Sequence, residues 1–104
     1  MAKMGGGLPK GMAQQIQALQ QQLADAQAEI QRAEVVGTAG GGVVKVTLRG
    51  DQTCTAVEIS PEMLADTDAE MLQDLVLAAF NQAQEALAKL SEERLGPLAN
   101  MLGM

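Results

Sequence analysis

Glu34 to Pro61 reads E-V-V-G-T-A-G-G-G-V-V-K-V-T-L-R-G-D-Q-T-C-T-A-V-E-I-S-P. No other stretch is rich in β-branched residues, and glycines break it in two places. Val35, Val36 and Thr38 favour a strand. Gly40, Gly41 and Gly42 take positive φ without a Cβ penalty and turn the chain back as a hairpin. Val44, Val46 and Leu48 then alternate with Lys45, Thr47 and Arg49, the pattern of a half-buried strand. Gly50-Asp51 supplies the next turn. Thr55, Val57 and Ile59 are expected on the apolar side of a third strand, with Ala56 and Glu58 facing the other way. Pro61 ends the sheet.

Both flanks read as helices. Upstream, Met12, Ile16, Leu19, Leu23, Ala26, Ile30 and Ala33 recur at spacings of four and three, a heptad seam. The opposite face is glutamine-rich, and glutamine and alanine are good helix formers. Pro9 suits the first turn of this helix, and Met1 to Leu8 read as a flexible tail. Downstream, Thr67 and Glu70 have the spacing of a capping box, so a helix is expected from about Asp68. Its stripe is Met71, Leu72, Leu75, Val76, Ala79, Phe80, Ala83, Leu87 and Leu90. Gly96-Pro97 is expected to end it, leaving residues 98–104 as a tail and 9–97 as one domain. The fold class is therefore α+β, an α-β-β-β-α subunit with a three-stranded antiparallel sheet between two long helices.

Strands of about six residues span only about 20 Å, whereas helices of 25 residues or more reach about 37 Å. Part of each apolar stripe overhangs the sheet, and exposed stripes of this size mark interfaces. A two-fold homodimer is expected. Its interface candidates are Met12, Ile16, Leu19, Leu23, Val44, Val46, Leu75 and Phe80.

Composition narrows the function. The 104 residues carry a net charge of −6, with no histidine, tryptophan or tyrosine and one phenylalanine. The commonest general base and metal ligand is therefore absent, as are stacking platforms for single strands. Cys54 is the single cysteine, which rules out an intrachain disulfide. No apolar run approaches membrane-spanning length, and no signal peptide is evident. A cytoplasmic protein is expected, with no membrane partner, cofactor, metal or small-molecule substrate. Gly40-Gly41-Gly42 lacks the G-K-[ST] and helix start of a phosphate loop. Asp66, Asp68 and Glu70 lack the glycine and distal glutamate of a calcium loop. Cys54 has no histidine to activate it. No pair of groups has the chemistry of an active site.

The ordered motifs resemble the YbaB/EbfC family of bacterial nucleoid-associated proteins. They are G-x-A-G-G-G-x-V-K-V at Gly37–Val46, then Gly50, then V-x-I-x-P-E at Val57–Glu62, then M-L-Q-D-L-V-L-A-A-F-N-Q-A at Met71–Ala83. The likeness covers nearly the whole chain. Cys54 departs from it, standing where the family more often has an aliphatic residue. The resemblance implies a tweezer-like homodimer with projecting helices, binding to duplex DNA, a location on the nucleoid, and no enzymatic activity.

Net charge opposes DNA binding, so the site must be local. No acidic residue precedes Asp25. Lys10 at the start of the first helix and Lys89 and Arg94 late in the second are expected together at the end distal to the sheet, with Lys3 on the adjoining tail; Glu92 and Glu93 beside Arg94 weaken that end. Glutamines along the arm add hydrogen-bonding capacity toward a DNA backbone. Ordinary solvation of helix ends accounts for these lysines equally well. A second group is Lys45 and Arg49 on one strand face with Arg32 nearby, for which edge protection and pairing with Glu34 or Glu58 is the simpler account. The competing function is a protein-binding, chaperone-like module that grips apolar chains and tolerates salt.

Overall fold

The computed structural model describes residues 10–101. Met1 to Pro9 and Leu102 to Met104 lie outside the described residues, so the expected N-terminal tail and Lys3 lie outside them too. The chain runs α1 (Lys10–Arg32), β1 (Glu34–Ala39), β2 (Val44–Arg49), β3 (Cys54–Ile59), α2 (Pro61–Asp66) and α3 (Ala69–Met101). The body is elongated, 76 × 20 × 20 Å. This is the α+β order expected, with one additional short helix.

The strands form one antiparallel sheet in the order β1-β2-β3. Gly40, Gly41 and Gly42 adopt φ of 63°, 75° and 97° and close the first hairpin. Ala39 stands opposite Val44, Gly37 opposite Val46 and Val35 opposite Leu48, which places them on one face. Across the other hairpin, Val44 pairs with Ile59 and Val46 with Val57. Thr47 pairs with Ala56 but Leu48 pairs with Cys54, so Thr55 is an extra residue in a bulge. The bulge moves Thr55 off the apolar side where alternation had placed it. Its hydroxyl donates instead to Glu34 Oε2 at 3.1 Å across the outer face.

α3 packs on the inner face of β1 and β2. Val44, Val46, Leu48, Ala79 and Ala83 are fully buried there, and Val35, Ile59, Met63, Leu72 and Leu75 pack around them. The fit depends on Gly37, whose Cβ would stand 2.1 Å from the Ala79 carbonyl oxygen and 2.3 Å from the Ala83 nitrogen. Small residues on both elements let a helix backbone rest on a strand backbone. Gln82 also accepts a hydrogen bond from the Thr38 N–H, so α3 caps the open edge of β1.

Several details differ from the sequence expectations. Pro61 occupies the first turn of α2, where its missing N–H is harmless. Thr67 then lies extended as the C-cap of α2. Asp68, not Thr67, caps α3, because its Oδ1 accepts from the Met71 N–H at 2.8 Å. The helix also runs through Gly96 and Pro97 to Met101 instead of stopping there. Half-buried Leu95, Leu98 and Ala99 flank the proline, and packing outweighs the lost hydrogen bond. Residues 98–101 therefore extend the helix and are not a separate tail.

Candidate nucleic-acid interface

α1 and the C-terminal half of α3 lie antiparallel as a two-helix arm. The helices are joined by Arg94 and Glu29 at 2.9 Å, with side chains about half exposed. Farther out, Met101 shares a hollow with Gln15, Ala18, Leu19 and Gln22. The heptad seam of α1 is thus partly used within the subunit. Ile30 is buried, and Leu19, Leu23 and Ala26 are half-buried. Met12 and Ile16 remain 46% and 43% exposed, because no described residue of α3 lies opposite them.

This arrangement separates the cations expected to cluster. Lys10 opens α1. Arg94 sits beside Glu29, nineteen positions along the same helix, or about 28 Å from Lys10. Lys89 lies five residues earlier on α3, about 7 Å nearer the sheet. The continuation of α3 past Pro97 draws Lys89 and Arg94 back from the tip. Arg94 is also committed to Glu29, whereas Lys89 has no ion pair among the described residues, and the Glu85 side chain one turn before it does not close onto it.

Lys45 and Arg49 do share the outer face of the sheet. Lys45 stands opposite Glu58, and Arg49 opposite Glu34. Arg49 Nε donates to Asp51 Oδ2 at 3.2 Å. The Thr53 hydroxyl, then the Thr53 N–H at 3.0 Å from Oδ1, hold the Asp51 carboxyl below the usual carboxylate range, and Arg49 adds to the effect. Arg49 therefore faces a carboxylate at neutral pH. Arg32 ends α1 beside the sheet, and acids accompany the basic residues over this whole face.

The arm itself offers amides more than charge. Gln14, Gln17, Gln20 and Gln21 with Ala18 line a shallow polar hollow on α1. Gln21 Nε2 donates to Asp25 Oδ1 at 3.0 Å. The glutamine pattern was visible in the sequence, but its separation from the α3-facing side requires knowledge of how the helices pair.

A second surface is apolar. Leu72, Val76, Leu77 and Phe80 with Gln73 line a hollow of about 460 Å³ on α3. β3 leaves Val57 half exposed on the face that α3 covers elsewhere, and Leu64, Met71 and Leu77 are more than half exposed. Phe80 and Leu75, both expected at an interface, are half-buried against the core, and Phe80 also lines this hollow. Val44 and Val46 have no exposed surface to offer a partner. Their apolar character is fully accounted for by the subunit's own core.

The sequence pattern of the YbaB/EbfC DNA-binding family matches residues 4–102. A Streptomyces avermitilis nucleoid-associated protein is 46% identical over 101 residues, covering 95% of this chain and 89% of the relative. One from Streptomyces griseus is 48% identical with the same coverage. One from Clostridium acetobutylicum is 42% identical, covering 96% of this chain and 87% of the relative. The crystal structure of an uncharacterized Helicobacter pylori protein superposes with a TM-score of 0.64 at 20% identity, covering 91% of this chain and 98% of the other. That likeness bears on the fold.

Proposed function

The chain belongs to the YbaB/EbfC DNA-binding family, and from that membership we propose that it binds duplex DNA as a homodimer on the bacterial nucleoid, in the cytoplasm. The carrying observation is the family match over residues 4–102. Its role is binding, with no catalytic step and no cofactor. Lys10 at the start of α1 is the natural phosphate contact, and in sequence Lys3 and Lys10 both precede any acidic residue. Arg32, Lys45, Arg49, Lys89 and Arg94 are secondary, since each lies nearer the acids of the sheet or of the arm base.

The small core supports the dimer reading. A subunit whose fully buried residues are Val44, Val46, Leu48, Ala79 and Ala83 leaves Val57, Leu64, Met71 and Leu77 at 50–59% exposure. A second copy covering the α3 hollow and the inner face of β3 buries these residues. Leu77→Glu is expected to yield monomers in sedimentation with the helical signal retained. A Leu77→Glu chain that sediments like wild type would remove this face from the proposal.

The functional test is fluorescence anisotropy of a labelled 30-base-pair duplex at two salt concentrations. Binding that weakens as salt rises supports the reading. Absence of binding at low salt refutes it, and salt-tolerant capture of an apolar peptide would then favour a protein-binding module.

A further inference from the structure

Lys10 and Asp25 are consecutive charged residues of α1, and the fourteen positions between them are neutral. On a helix that advances about 100° per residue, Lys10, Gln14, Gln17 and Gln21 fall within about 60° of arc. Their centre lies about 160° from that of the apolar seam Met12, Ile16, Leu19 and Leu23, whose inner part meets α3. Gln14, Gln17 and Gln21 are all exposed and share one hollow. Gln15 and Gln22 belong to the other side, beside Met101. One amide stripe therefore faces directly away from the partner helix. It begins at a lysine and ends where Gln21 donates to the Asp25 carboxylate.

Resting on the DNA-binding reading above, we infer that Gln14, Gln17 and Gln21 form a neutral hydrogen-bonding ladder onto the phosphate backbone of one strand of a duplex, with Lys10 as its charged end and Asp25 as its boundary. A glutamine amide donates two N–H groups and so serves anionic oxygens without carrying charge. From Lys10 to Gln21 the stripe is about 16 Å long, about five nucleotides of one strand at 3.4 Å each. Two paired helices are about 20 Å across, whereas the major groove is about 12 Å wide. Where Met101 lies beside Gln15, Leu19 and Gln22 the arm is two helices wide, so that part of it lies along the backbone, not inside the groove. Asp25 repels phosphate and so limits the footprint to the outer half of α1.

The ladder has a signature that charged contacts lack. Neutral contacts add affinity without releasing counterions, so their loss lowers binding at every salt concentration and leaves the slope of log K on log salt unchanged. The Q14A/Q17A/Q21A chain keeps good helix formers in α1, and its helicity is checked by circular dichroism. Expected is at least tenfold weaker binding to the 30-base-pair duplex, with a slope equal to wild type. Lys10→Ala instead flattens the slope by about 1.8 for two phosphate contacts per dimer at about 0.9 each. The Q27A/Q31A chain, beyond Asp25, binds as wild type. Wild-type binding with undiminished affinity in the triple variant overturns the ladder and leaves the DNA reading standing. A flattened slope in the triple variant, or weakening by Q27A/Q31A equal to it, also overturns the ladder. Failure of the wild-type chain to bind at low salt overturns both.

Discussion

Gly37→Ala adds one methyl group to β1, where its neighbours are backbone atoms. The added Cβ would stand 2.1 Å from the Ala79 oxygen, 2.3 Å from the Ala83 nitrogen and 2.9 Å from the Ala83 Cα. Ordinary contact begins near 3.4 Å, so α3 must retreat by about 1.3 Å from β1. No rotamer change relieves the clash, because the opposing atoms belong to the helix backbone. A gap of 0.5–1 Å already forfeits a quarter to a half of a dispersion contact, and the contacts at risk are those of Val44, Val46, Ala79 and Ala83. Overpacking of this kind costs about 1–3 kcal/mol, sometimes more. The opposing effect, a stiffer unfolded chain, is worth about 0.4–1 kcal/mol. The steric effect prevails, with a net loss of about 1.3 kcal/mol. Urea denaturation at a single protein concentration should show the midpoint falling by about 0.5–1 M with little change in slope. Adding Ala83→Gly should not restore stability, because it removes a side chain and leaves the clashing backbone in place. A loss under about 0.5 kcal/mol, or rescue by Ala83→Gly, would refute the close-approach reasoning.

Two further results test local assignments. Asp68→Ala should destabilise the fold by about 1 kcal/mol as the cap of α3 is lost, while Thr67→Ala stays within about 0.5 kcal/mol; the reverse ranking in thermal melts would return the cap to Thr67. Asp51 has a folded pKa below its ordinary value of 3.8, so its contribution to stability is present above that value and disappears as pH falls through the folded pKa. Wild type should exceed Asp51→Asn in urea midpoint at pH 6, and the two should converge on acidification; a gap that widens toward acid pH would contradict the hydrogen bonds assigned to Thr53.

The sequence made the sheet legible wherever one residue type had one physical use. Val44, Val46 and Leu48 alternate because β2 is covered on one face, and the alternation survives in their complete burial. The Gly40–Gly42 run permits positive φ, and the hairpin uses it at all three positions. β3 is less legible. Alternation assigns Thr55 to the side of Val57, but a bulge shifts the register by one residue, and nothing in C-T-A-V-E-I marks it. Neighbouring capping residues were also ambiguous: Thr67 and Asp68 are both good caps, and the choice depends on how the chain leaves α2. Pro97 is a strong stop signal that packing overrode. The override reaches the site, because an α3 ending at Pro97 would place Lys89 and Arg94 near the arm tip. The heptad seam of α1 likewise revealed an apolar face but not its partner, which for Leu19 and Leu23 is largely α3 of the same chain.

The net charge of −6 ceases to oppose the DNA reading once the axis of the molecule is considered. Electrostatic influence in solution decays over about 8–10 Å at physiological salt. Asp25, the acid nearest the tip in sequence, lies fifteen residues from Lys10 along α1, about 22 Å away and beyond two decay lengths. Glu62, Asp66, Asp68, Glu70 and Asp74 occupy α2, the link after it and the first turns of α3 with no basic residue among them. α3 runs from there along the sheet and out into the arm, which puts its start about 48 Å from Met101. On the proposed DNA reading, a phosphate at the arm tip would meet Lys10 and the amides of α1, and the acidic sheet end would lie several decay lengths away. Lys10 would act about 22 Å along α1 from Asp25, the first acid of that helix. Charge polarity along a 76 Å body, more than its total, is then what would set which end turns toward a polyanion.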